Sequence, residues 1–206
     1  MTAGQCSAIG ISTGGTIADL PRTLLILMAL RATVHKADLH IADNDRGYYG
    51  SHAVTVARHP SETDERMMVR LLAYALFADE GETLAFTRGL SETDEPDLWR
   101  KDLTGAIQLW VETGLPDERR LLKACGKADE VVVIAYGRAA ALWWQGVEAK
   151  LERAAKLRAL CLDAAGTAAL ADKADRKMTL NINIQDGVAW VSDDDASAEV
   201  RIETLR

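Results

Sequence analysis

The sequence predicts an α/β fold, a mixed sheet flanked by helices with further β-hairpins at both ends. Val131-Val132-Val133-Ile134 is an unbroken apolar run, the pattern of a central strand buried on both faces. On either side of it in sequence, apolar residues recur at helical spacing after Pro60, after Pro116 and from Arg138 onward. Towards both termini the pattern changes to alternation, loose near the N-terminus, punctuated by turn residues.

Residues 1–27 are rich in Gly, Ser, Thr and Ala and read as an extension upstream of a start at Met28. They are expected not to pack into the single domain of residues 28–206. The first hairpin joins Arg31–Ile41 to His52–Ala57 across Asp43-Asn44-Asp45-Arg46-Gly47, with a phase slip near Lys36-Ala37 that suggests a bulge. Ser61 and Asp64 have capping-box spacing, and Glu65, Met68, Val69, Leu72 and Leu76 then share one helix face, which Glu62 extends by a turn.

Short strands are expected at Thr83–Thr87, Asp97–Asp102 and Ala106–Glu112. A second helix opens at Asp117 with Leu121, Leu122 and Cys125 facing inward, and a long helix runs from Arg138 to Leu157, followed by a strand at Ala159–Leu162. At the C-terminus Leu180, Ile182 and Ile184 alternate with Asn181 and Asn183. A three-residue loop, Gln185-Asp186-Gly187, would pair Ile184 with Val188 and Ile182 with Trp190, placing every large apolar residue on one face. Val200 and Ile202 mark a last strand.

Apolar residues at 48% and charged residues at 27% suit one globular domain. No twenty-residue apolar span is present, so no membrane-spanning helix is expected. Cys6, Cys125 and Cys161 have neither zinc spacing nor an even disulfide framework, and read as reduced residues of a cytoplasmic protein. A net charge of −7 speaks against a broad nucleic-acid surface, leaving only a local basic face such as Arg119, Lys123 and Lys127.

The stretches Ala57-Arg58-His59-Pro60-Ser61-Glu62-Thr63, Phe86-Thr87-Arg88-Gly89-Leu90, Asp102-Leu103-Thr104-Gly105, Leu115-Pro116-Asp117-Glu118 and Asn183-Ile184-Gln185-Asp186-Gly187 resemble those of the YaeQ family. The resemblance runs from about Met28 to the C-terminus. It implies a variant of the PD-(D/E)XK, restriction-endonuclease-like fold, in which two carboxylates hold Mg²⁺, a lysine assists and an acid on the preceding helix often completes the site.

Pro96-Asp97 takes the first motif position and Glu112 the second. A hairpin turning at Thr104-Gly105 sets Asp97 opposite Glu112 and Trp99 opposite Trp110. Glu65 and Glu62 supply further candidate ligands, and Asp102 would face the other way. Gly114 stands where the motif wants lysine, so the positive charge would come from Lys123 or Arg120. The leading expectation is a Mg²⁺- or Mn²⁺-dependent phosphodiesterase acting on nucleic acid; the alternatives are a non-catalytic binding or regulatory protein that keeps the fold without the lysine, and a hydrolase using the same metal on another substrate.

Overall fold

The computed structural model describes residues 32–81, 83–88 and 94–206. The expected behaviour of residues 1–27, and the proposed start at Met28, lie outside them. Among the described residues the elements run β1 (Thr33–Asp43), β2 (Tyr48–Arg58), α1 (Asp64–Phe77), β3 (Leu84–Phe86), β4 (Leu98–Lys101), β5 (Ile107–Thr113), α2 (Glu118–Cys125), β6 (Ala128–Ala135), α3 (Ala140–Leu151), β7 (Leu157–Leu162), α4 (Ala164–Ala171), β8 (Lys177–Gln185), β9 (Val188–Ser192) and β10 (Ser197–Thr204).

All ten strands join one mixed sheet in the order β2-β1-β8-β9-β10-β7-β6-β5-β4-β3. The pairs β1–β8, β5–β6 and β6–β7 are parallel and the others antiparallel. The valine run lies on β6, between β5 and β7, as a strand without polar alternates must. Val132 and Ile134 face one core, while Val131 and Val133 face another made with Leu121 and Ala124 of α2 and Trp144, Val147 and Leu151 of α3.

Helix α1 is enclosed by the sheet, where the sequence pattern suggests a flanking helix. Met67 through Ala75 are all buried, so no side of this stretch reaches solvent. Inward residues from all ten strands share its core, among them Leu39, Val56, Leu84, Leu98, Val111 and Leu180. The helix is capped by Thr63, whose hydroxyl accepts from Arg66 N, not by Ser61. Ser61 Oγ bonds His59 Nδ1 instead.

Other expectations shift in register or length. Strand β1 pairs without a break against both β2 and β8, so there is no bulge at Lys36-Ala37, and Val34 simply faces outward, 52% exposed. Leu122 is likewise exposed. Helix α3 stops at Leu151, well short of Leu157, where β7 begins. The pattern also misses α4, an Ala-rich helix whose clearest signal is its N-cap, Asp163.

The β8–β9 turn has two residues rather than three. Asp186 and Gly187 both take positive φ, 52° and 72°, the I′-type pairing whose twist suits a hairpin. Ile184 therefore pairs with Ala189 and Asn183 with Trp190, so Trp190 turns to the outer face while Ala189 and Val191 enter the core.

Gly166 brings α4 against β10. A Cβ there would lie 2.5 Å from Glu199 O and 2.8 Å from Val200 Cα, both backbone atoms that cannot rotate away. Gly166→Ala should cost about 1–3 kcal/mol of overpacking. Thermal denaturation should show Tm falling by several degrees; an unchanged Tm would mean that α4 can slide on the sheet.

Candidate functional site

Leu98 pairs with Val111 and Trp99 with Trp110, the latter as the hairpin arithmetic expects, and Asp97, just beyond the paired stretch, donates its N–H to Val111 O. The loop is Leu103-Thr104-Gly105, closed by Asp102 N donating to Ala106 O, and a bulge between Arg100 and Lys101 shifts the ladder by one residue to bring Trp99 opposite Trp110. Asp102 closes that turn, accepting from Thr104 N, Thr104 Oγ1 and Ala106 N.

The two carboxylates serve different helices. Asp97, 1% exposed, turns to α1. Its Oδ1 meets Arg66 Nη2 at 2.5 Å and Arg70 Nε at 3.5 Å, and its Oδ2 accepts from Thr113 N and Thr113 Oγ1, both at 2.7 Å. Glu112, 6% exposed, turns to α2: Oε1 accepts from Arg120 Nε at 2.7 Å and Oε2 from Trp110 Nε1 at 3.0 Å.

Glu62 precedes the helix instead of extending its face. It accepts from Arg66 Nη1 at 2.8 Å, from Arg70 Nη1 at 3.1 Å and from His59 N at 3.1 Å. The outcome is a buried chain of alternating charge: Glu62, Arg66 and Arg70, Asp97. Glu65 points elsewhere and accepts from Thr167 Oγ1 of α4 at 2.7 Å. Lys123 lies at the surface, paired with Asp94 at 2.6 Å, and does not approach the acids. Arg120 does, and it also donates to Glu95 O. Of the basic stripe, Arg119 is exposed and Lys127 sits over the Trp110 ring.

Arg66, Arg70 and Thr113 complete this cluster and Thr167 holds Glu65, none of them among the candidates drawn from the sequence. The available signal was the spacing Glu62, Arg66, Arg70, an acid and two bases four residues apart leading into an apolar run. Burial works against the charge on Arg66, but Asp97 and Glu62 outweigh it and raise its pKa. Tyr136, at the end of β6, is pushed up to about 12 by burial, and its phenol stays protonated at neutral pH.

These residues do not fit Mg²⁺ or Mn²⁺ as they are arranged. Mg²⁺ wants about six oxygen ligands at roughly 2.1 Å. Here the oxygens of Asp97, Glu62 and Glu112 are occupied by guanidinium, indole, hydroxyl or amide donors, and an entering cation would meet two arginines at Asp97 and one at Glu112. Among the described residues, no three His, Cys, Asp or Glu side chains group as metal ligands.

Arg70 is fully buried, so Arg70→Met should leave Glu62 and Asp97 with Arg66 alone. Removing one partner from a buried ion network costs about 3–5 kcal/mol. Urea denaturation should show a loss near the lower end of that range; a loss under about 1 kcal/mol would show the network to be dispensable.

Glu112 generates a pH prediction. Burial lifts its carboxyl above the ordinary glutamate range, and Asp97 adds to the shift while Arg120 and Trp110 oppose it. The native state therefore holds a proton that the unfolded chain has already released, and stability falls as pH rises from that range through the raised folded value. Glu112→Gln removes this term, so the variant should gain stability relative to the parent between about pH 4.5 and neutrality. Denaturation curves at the two pH values test this, and a pH-independent difference would refute it.

No described helix is long and apolar enough to cross a membrane. A family profile described as YaeQ protein matches residues 28–202. The chain is 49% identical over 176 residues to the YaeQ proteins of Salmonella typhi and of Escherichia coli strain K12, covering 85% of this chain and 96% of each of theirs. The crystal structure of YaeQ from Xanthomonas axonopodis pv. citri superposes with a TM-score of 0.82 at 48% identity, over 85% of this chain and 98% of that one. YaeQ from Pseudomonas syringae gives 0.80 at 37% identity, over 85% and 96%. With the family profile, these relatives and the superposed structures in agreement, the chain belongs to the YaeQ family.

Proposed function

We propose that this protein is a non-catalytic binding or regulatory protein built on a restriction-endonuclease-like core. The core reading rests on the run α1-β3-β4-β5-α2-β6, in which an antiparallel meander is followed by a helical crossover to β6, parallel to β5. The observation that carries the functional reading is the neutralisation of Asp97, Glu62 and Glu112 by Arg66, Arg70 and Arg120, beside Gly114 where a nuclease motif places its lysine. Ion pairs of this kind hold elements in register and leave no carboxylate with open coordination. The Mg²⁺- or Mn²⁺-dependent phosphodiesterase, acting on nucleic acid, is the competing reading. It draws on the motif positions of Asp97 and Glu112 and requires Arg66 and Arg120 to move aside.

Calorimetric titration with MgCl₂ and MnCl₂, together with cleavage assays on single- and double-stranded DNA and RNA, separates the two. The proposal expects no saturable heat and no cleavage. Cation-dependent cleavage that disappears in Asp97→Asn and Glu112→Gln would replace it with the phosphodiesterase.

A further inference from the structure

The outer face of β2-β1-β8-β9 holds a cavity of about 660 Å³, lined by none of Glu62, Asp97 and Glu112. Strand register builds it in two rows. One row reads Ser51, His40, Asn181, Ser192 across the four strands, every member a hydrogen-bonding side chain without formal charge when the histidine is neutral. The next reads Tyr49, Ala42, Asn183, Trp190, with aromatic residues at the two ends and small residues between. Neighbouring strands lie about 4.8 Å apart, so Tyr49 and Trp190 stand roughly 14 Å apart as walls of a trough floored by Ala42 and Asn183.

We propose that this trough binds a neutral saccharide, a role independent of the acidic cluster and of the function proposed above. Aromatic walls offer flat apolar surfaces for the C–H faces of a sugar ring, and the polar row offers partners for its hydroxyls. Part of the site is pre-organised. Tyr49 Oη donates to Asn44 Oδ1, and Asn44 Nδ2 donates to Asn183 Oδ1, which leaves the Asn183 amide N–H groups to a ligand. His40 Nδ1 is engaged with Ser51 Oγ at 2.9 Å, leaving Nε2. The Asn181 side chain and the Trp190 indole N–H have no hydrogen-bond partner among the described residues.

Charge selects the ligand class. No Lys, Arg, Asp or Glu is among the described residues lining the trough, and the whole chain carries −7. A strand of nucleic acid needs a cationic groove beside its stacking platform, which this face lacks.

Ligand-detected saturation-transfer NMR on the full chain tests the proposal, with maltotriose, cellotriose and chitotriose as probes and adenosine as the counter-probe. At least one trisaccharide should bind with Kd about 1 mM or tighter. Trp190→Ala and Tyr49→Ala should each weaken it about tenfold or more, the effect of losing an aromatic anchor, and Leu142→Ala, on the exposed part of α3, should not. Failure of all three sugars to bind, binding that survives both aromatic changes, or adenosine binding in their place would each overturn the proposal.

Discussion

Arg70 sits on a helix with no solvent-facing side over its buried stretch, and its charge must be met from within the sheet. An isolated guanidinium in such surroundings would cost several kcal/mol. Asp97 from the start of β4, Glu62 from the entry to α1, Ala57 O from β2 and the ring of Phe86 from β3 all converge on it. One buried cation thereby ties the helix to the two strands that end the sheet and to the hairpin beside them. Its Nε and Nη2 still lack a hydrogen-bond partner, so the site is not fully compensated.

The other end of α1 follows the same logic. The helix carries no basic residue in its last turn, yet its final carbonyls need donors. Arg46, from the β1–β2 turn, donates to Ala75 O and Ala78 O while held by Asp43 at 2.6 Å, and Arg100 of β4 donates to Phe77 O. Arginines outside the helix thus supply the positive charge that its dipole favours at the C-terminus. Between the two ends, β2 and β3 both line a cleft of about 280 Å³ with Tyr74 of α1. There Tyr74 stacks on Phe86 and meets His52 Nδ1 at 3.2 Å. The sheet therefore curls round the helix until its two edge strands share one cleft.

This construction bears on function. A carboxylate can neutralise a buried arginine or present open lone pairs to a cation, but the same lone pairs do not serve both. In this chain the acids at the two motif positions do the first, and the outward faces of the strands are left for recognition. The trough between Tyr49 and Trp190 lies on the side of the sheet that α1 does not use, so its residues are free of the packing demands that set the rest of each strand.

Much of the architecture was legible from the chain alone, because it rests on local pattern. The central strand at Val131–Ile134, the helices after Pro60 and Pro116, and the β4–β5 hairpin follow from period and punctuation. Neither the burial of Asp97 and Glu112 nor the direction each side chain takes was legible there. That Asp97 turns to Arg66 and Arg70, that Glu112 turns to Arg120, that α1 is enclosed, and that Asp186-Gly187 sends Trp190 outward were decided by the tertiary structure. Pattern reports which residues prefer to leave water. Which charge meets which, and which face of a strand becomes the inside, depends on elements far apart in sequence closing around one another.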